Sequence, residues 1–136
     1  MKNHILAQTE VKSLKEDTIS EQIIVPQNKK QTEHKVDPQT RRLLSYLFTG
    51  TRGGPTRMRI LLLLAQRPLN THQIAESLGF DYKAIDYQLE VLEKNNLVSK
   101  TGPRYGTIFF LSSFLEYNIS AFNEIVEASR KKGVIQ

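Results

Sequence analysis

A mainly helical domain with one small β-hairpin is the fold class that this 136-residue sequence predicts. Three observations lead there. Residues 71–100, THQIAESLGFDYKAIDYQLEVLEKNNLVSK, contain two runs with apolar side chains at helical spacing, separated by Gly79 and by Asp81, whose carboxylate suits a helix N-cap. Upstream, residues 40–48 and 55–66 each carry the pattern of a further helix. Downstream, residues 97–101 and 107–111 have strand composition and enclose Gly102-Pro103-Arg104-Tyr105-Gly106, which has turn chemistry.

Taken in order, residues 1–37 mix Lys, Glu, Gln and Thr without a sustained period and predict a mobile polar tail, with transient helix over 10–16. A solvated extension and an arm that touches DNA or a partner are both open. The folded domain is expected over 38–111. In TRRLLSYLF, Leu43, Leu44, Leu47 and Phe48 share one helical face. A glycine-rich connection follows, and Pro55 suits the first turn of the next helix. That helix is apolar nearly all round through Met58, residues 60–64 and Ala65, which puts it at the centre of the core, and Pro68 ends it. Leu69 predicts a very short strand, and Asn70 or Thr71 a cap for the helix that buries Ile74, Ala75 and Leu78. Gly79 then supplies a positive φ, and Phe80 is expected to plug the corner. The helix over 82–95 buries Ile85, Leu89 and Leu92, and in the hairpin Ile108 and Phe110 are expected to face the core. The last stretch, 112–132, predicts one helix with Leu115, Ile119, Phe122 and Val126 at four-three-four spacing, joined by Phe114 and Ile125. Such a seam is ordinary core against its own domain, or a dimer interface against a second copy. A homodimer is the expectation, with the helix over 40–48 able to join the interface.

Composition narrows the function. There is no cysteine, and His4, His34 and His72 lack metal-ligand spacing, so no metal or other cofactor is expected. The longest apolar run, 60–65, falls far short of the ~18 residues a membrane span needs, and the first ten residues lack a signal-peptide core, so a soluble cytoplasmic protein is expected. No nucleophile-base pair or paired carboxylates stand out, and Gly53-Gly54 lacks the Lys-Ser/Thr of a phosphate loop, which argues against an enzyme. Residues 1–37 carry six lysines and six acids, so the net charge of +5 belongs to residues 38–136. A basic domain favours a polyanionic partner.

That charge has a local origin. Residues 41–67 hold six arginines and no acid, and Arg52 and Arg57 stand beside the glycine turn and a helix N-terminus, where free N–H groups favour anions. They are candidates for phosphate contact, and Thr71, at the start of the next helix, is a further candidate for DNA contact. Stems of arginines also solvate very apolar helices, which is the plainer reading. On the helix over 82–95, the N-terminal half presents Tyr82, Lys83, Ala84, Asp86, Tyr87 and Gln88 as candidates to reach base edges in a major groove. Lys83 suits guanine or phosphate, Tyr87 phosphate or a thymine methyl, and Asp86 a cytosine amine. A merely solvated face is the alternative, since Asp81, Asp86 and Glu90 repel phosphate. At the hairpin, Arg104 and Tyr105 on the tip and Lys100 at the base suit a minor groove or flanking phosphate.

The order helix, helix, turn, helix, hairpin resembles the winged helix-turn-helix, and LGFDYKAIDYQLEVLEKNNLV resembles the recognition-helix segment of ArsR-type regulators. More narrowly, GTRGGPTRMRILLLL, DYKAIDYQLEVLEKNNLV and YGTIFFLS, in that order, resemble a group of archaeal winged-helix transcriptional regulators. The resemblance implies a homodimeric regulator that places residues 82–88 in successive major grooves of a pseudo-palindromic site, with Arg104 on the wing. The Cys and His ligands of metal-responsive ArsR-type proteins are absent, and Asp86 stands where many relatives have a basic or hydroxyl residue. A winged-helix module for protein interaction in a transcription assembly, its acidic helix facing a basic partner, is the competing reading.

Overall fold

The structure, a computed structural model, describes residues 34–136. The chain runs α1 (Pro38–Thr49), α2 (Gly54–Leu64), α3 (Thr71–Leu78), α4 (Tyr82–Lys94), β1 (Val98–Thr101), a 3₁₀ turn (Arg104–Gly106), β2 (Ile108–Leu111), α5 (Ser113–Tyr117) and α6 (Ile119–Lys131). It is the mainly helical architecture with a small hairpin that the apolar periodicities predict.

Helix ends follow local chemistry. Asp37 caps α1 by accepting from the Thr40 amide at 3.0 Å and from the Thr40 hydroxyl at 2.9 Å. Those bonds favour the ionised carboxylate and hold its pKa below the ordinary aspartate value. The apolar face of α1 buries Leu44, Leu47 and Phe48, while α2, apolar on most sides, buries Met58, Ile60, Leu61, Leu62 and Leu64 at the centre. Phe48 meets Phe122 of α6 edge-on, with ring centroids 5.2 Å apart.

β1 and β2 pair antiparallel from Val98↔Leu111 to Thr101↔Ile108. Leu69 adds a single bridge to Phe109, its amide donating at 3.1 Å and its carbonyl accepting at 2.8 Å. This bridge sets which face of β2 turns inward. Phe109 and Leu111 are buried, whereas Ile108 and Phe110, expected to face the core, are only half-buried. The strand has the expected period with the opposite phase.

Three further expectations change. The helix expected over 112–132 is two helices, because Asn118 at the junction is buried and donates from Nδ2 to the Phe114 carbonyl at 3.0 Å. Residues 1–33 of the expected tail, with the transient helix over 10–16, lie outside the described residues. Within its last four residues, Val36 is buried against the domain, and His34 hydrogen-bonds Asn118 Oδ1 at 3.0 Å and stacks on Tyr117. The expected dimer seam is also occupied. Leu115, Ile119, Phe122 and Val126 are each at most 1% exposed within the single chain, so they form its own core and offer nothing to a second copy.

Candidate nucleic-acid interface

The helix-turn-helix is built by reciprocal caps. Asn70 accepts from the Gln73 amide at 2.8 Å, and the Gln73 side chain accepts from the Asn70 amide at 2.9 Å, a capping box that starts α3. Gly79 ends it at φ 76°, a left-handed conformation, with the Gly79 and Phe80 amides both donating to the Ala75 carbonyl. Asp81 then caps α4 by accepting from the Ala84 amide at 2.8 Å. Only Phe80 separates the C-cap of α3 from the N-cap of α4, and the angle between the helices is set by backbone chemistry. Phe80, expected to plug the corner, is instead 37% exposed, with the Arg59 guanidinium 5.9 Å from its ring centroid.

On α4, Ile85, Leu89 and Leu92 are buried. The opposite face carries Tyr82, Lys83, Ala84, Asp86, Tyr87 and Glu90, all exposed, with Tyr87 60% accessible. Lys83, Tyr87, Glu90 and Lys94 follow one another at helical spacing along that face. The hairpin projects Arg104 and Tyr105 from its 3₁₀ turn; Tyr105 is 95% exposed and the Arg104 guanidinium lies 6.0 Å from its ring. Lys100, at the base, pairs with Glu93 Oε2 of α4 at 3.2 Å, an exposed contact of small energetic weight that joins wing to helix. Arg52, in the turn between α1 and α2, is also exposed.

Three candidate residues are placed elsewhere. Thr71 is buried at the start of α3. Arg57 is 4% exposed and directed into the molecule: Nε and Nη2 donate to the Leu47 carbonyl at 3.2 and 2.9 Å, Nη2 also to Thr51 Oγ1, and Nη1 to Gln88 Oε1 at 2.6 Å. Gln88 is held half-buried as the α4 partner of that guanidinium. Arg57 and Gln88 thus fasten the α1–α2 turn to α4 and do not present themselves to a duplex. The signal for Arg57 lies in α2's own periodicity, since Ile60, Leu61 and Leu64 follow it at three, four and seven residues. Its partners, six, ten and thirty-one positions away, carry no such signal.

Capped α3 and α4, a two-stranded wing and supporting helices define the class: a winged helix-turn-helix. Residues 54–100 match the family model described as bacterial regulatory protein, arsR family. Among solved structures, the chain is similar to a probable transcriptional regulator from Pseudomonas aeruginosa, with 20% identity, coverage of 68% of this chain and 74% of that one, and a TM-score of 0.52. It is also similar to diamide-treated YodB from B. subtilis, with 20% identity, coverage of 72% and 96%, and a TM-score of 0.52. Reduced HlyU from Vibrio cholerae is similar at 16% identity, with coverage of 64% and 90% and a TM-score of 0.50. These are likenesses of fold. No curated protein matches the chain. Among the described residues, no helix is long and apolar enough to cross a membrane.

Proposed function

We propose that the protein is a sequence-specific transcriptional regulator of the ArsR type, binding double-stranded DNA with the N-terminal half of α4 in a major groove. The observation that carries this reading is the outer face of α4. Its start is fixed by two caps, its inner face is fully buried, and Tyr82, Lys83, Ala84 and Tyr87 stand clear of the domain. Arg104 and Tyr105 on the wing, Lys100 at its base and Arg52 near the α2 N-terminus supply flanking phosphate contacts. The three collinear segments GTRGGPTRMRILLLL, DYKAIDYQLEVLEKNNLV and YGTIFFLS further suggest the archaeal group. A cytoplasmic location accords with this role.

The test is an anisotropy titration of the full chain against promoter DNA. Affinity falls steeply with salt, and Lys83→Ala or Tyr87→Ala loses about 1–3 kcal/mol of discrimination if it removes a direct base contact. Salt-independent binding, or none at low salt, is incompatible with the proposal. Asp86 and Glu90, both exposed, favour the protein-interaction reading instead; loss of a captured basic partner on Asp86→Lys with Glu90→Lys, with DNA binding intact, would select it.

A reader of a pseudo-palindromic site acts as a homodimer. With the inner seam buried, we assign the contact to the outer sides of α1 and α6, where Ile125 is half-buried and Ser45 and Ala128 are exposed around a shallow apolar cleft. Ala128→Asp with Ile125→Asp is expected to halve the mass seen by light scattering. A wild-type monomer at tens of micromolar would remove the dimer from the proposal.

A further inference from the structure

Between the α1–α2 turn and α4 lies a cavity of about 710 Å³. That is within the ~300–1,000 Å³ range of small-molecule sites. Leu43, Leu47 and Val91 give it apolar walls, Tyr46 and Tyr87 flank it, and among the described residues its charged lining is Arg52 and Arg57, with no acid. Arg57 is the unusual component. A guanidinium stays charged in proteins, and its burial is costly unless a counter-charge compensates it. All its partners among the described residues are neutral oxygens, those of Leu47, Thr51 and Gln88. Among the described residues, the ion pairs are Arg41–Glu124, Lys100–Glu93 and Arg130–Glu127, none of which reaches Arg57.

The bonding pattern leaves donors in reserve. The four bonds from Arg57 leave one Nη1 hydrogen unused out of five. Because Gln88 turns its oxygen to Arg57, its amide nitrogen is free to donate. Gly53 keeps the space open: a Cβ there would lie 2.5 Å from Arg57 Nη1 and 2.9 Å from Gln88 Nε2. Burial pushes the Arg57 pKa below the ordinary arginine value, against the opposing influence of Tyr87 and Tyr46, which agrees with a desolvated cation lacking an acid.

We propose that this cleft binds a small organic anion, a carboxylate or sulfonate on a flat apolar body, with Arg57, Arg52 and Gln88 at the charged head and Tyr46, Tyr87 and Val91 along the body. An isolated DNA phosphate has no use for the apolar walls. Two cavity residues, Tyr87 and Arg52, also belong to the proposed DNA surface, so the anion and DNA compete and each lowers the affinity for the other by the same factor. This regulatory half rests on the DNA-binding reading, whereas the anion site does not.

The test uses the full chain and 8-anilinonaphthalene-1-sulfonate, with N-phenyl-1-naphthylamine as the uncharged counterpart of the same ring system. Expected are one-to-one binding of the sulfonate, amide NMR shifts centred on Gly53, Tyr87 and Gln88, and weaker binding of the uncharged probe. Arg52→Ala and Arg57→Gln each weaken the sulfonate about tenfold, as loss of a charge-assisted bond implies, and Val91→Trp blocks both probes by filling the cleft. Because the shift map is read on the wild type, a variant that misfolds does not decide the matter. Equal affinity for the two probes, no sulfonate binding, or shifts centred elsewhere overturns the site. With promoter DNA present, the sulfonate is expected to raise the DNA Kd at least about fivefold, the lower end of ordinary coupling; an unchanged Kd overturns the regulatory half alone. If the chain binds no DNA yet the shifts map to the cleft, the DNA-binding reading fails and the anion site stands.

Discussion

Arg57 shows how one side chain changes meaning between sequence and structure. By composition it is one more cation in an acid-free, arginine-rich segment, suited to phosphate. By position it lies on the buried stripe of α2, and the structure gives it three oxygen-bearing partners and almost no exposure. Truncation should therefore act on stability. Arg57→Ala leaves a void and strands polar groups at the α1–α2 turn, at a cost of about 2–4 kcal/mol. Arg57→Met strands the same polar groups but fills most of that volume, so its cost should be smaller, about 1–2 kcal/mol. Urea unfolding of the two variants measures the difference. Equal losses would mean that the hydrogen bonds from the guanidinium, and not the volume it occupies, hold the turn against α4. Nothing in the local pattern predicts Gln88 as its partner, because the pairing is between α2 and α4 and exists only once both are docked.

At the scale of elements, the parts legible in the sequence are those set by neighbours along the chain. The α3–α4 corner is such a part, since Asn70, Gln73, Gly79 and Asp81 act on backbone groups at most four residues away. The phase of β2 depends on a bridge from Leu69 to Phe109, which leaves no local trace, and the break between α5 and α6 joins a local bond from Asn118 to the Phe114 carbonyl with a brace from His34, 84 residues away. Two glycines separate the local from the tertiary cause. Gly79 has φ 76°, and a Cβ added there would meet nothing within 4 Å, so Gly79→Ala incurs only left-handed backbone strain, about 1–2 kcal/mol. Gly54 has no such strain, but its Cβ would lie 2.1 Å from the Phe48 carbonyl oxygen, a backbone atom. Gly54→Ala must push α1 from α2, which costs about 1–3 kcal/mol or more. Thermal unfolding checks both, and NMR should show shifts for Gly54→Ala spread across the α1–α2 packing, but confined to the corner for Gly79→Ala.

For the whole molecule, the decisive feature is where the charge lies relative to the reading helix. The excess of +5 belongs to residues 38–136, yet the outer face of α4 mixes Lys83 and Lys94 with Asp86 and Glu90. A helix of that composition gains little from phosphate attraction, so on the proposed function attraction comes from its flanks, chiefly Arg104 on the wing and Arg52 by the α1–α2 turn. The two roles separate experimentally. Arg104→Ala should weaken binding by a similar factor on every duplex and reduce the slope of log affinity against log salt by about 1, the signature of one lost phosphate contact. Tyr87→Ala should leave that slope nearly unchanged while altering the ranking among duplexes that differ within the site, because a base contact carries discrimination. Anisotropy titrations on a small set of mismatched sites, repeated at several salt concentrations, distinguish the two. A reversed result, with Arg104→Ala changing the ranking and Tyr87→Ala changing only the slope, would move the reading surface from the helix to the wing.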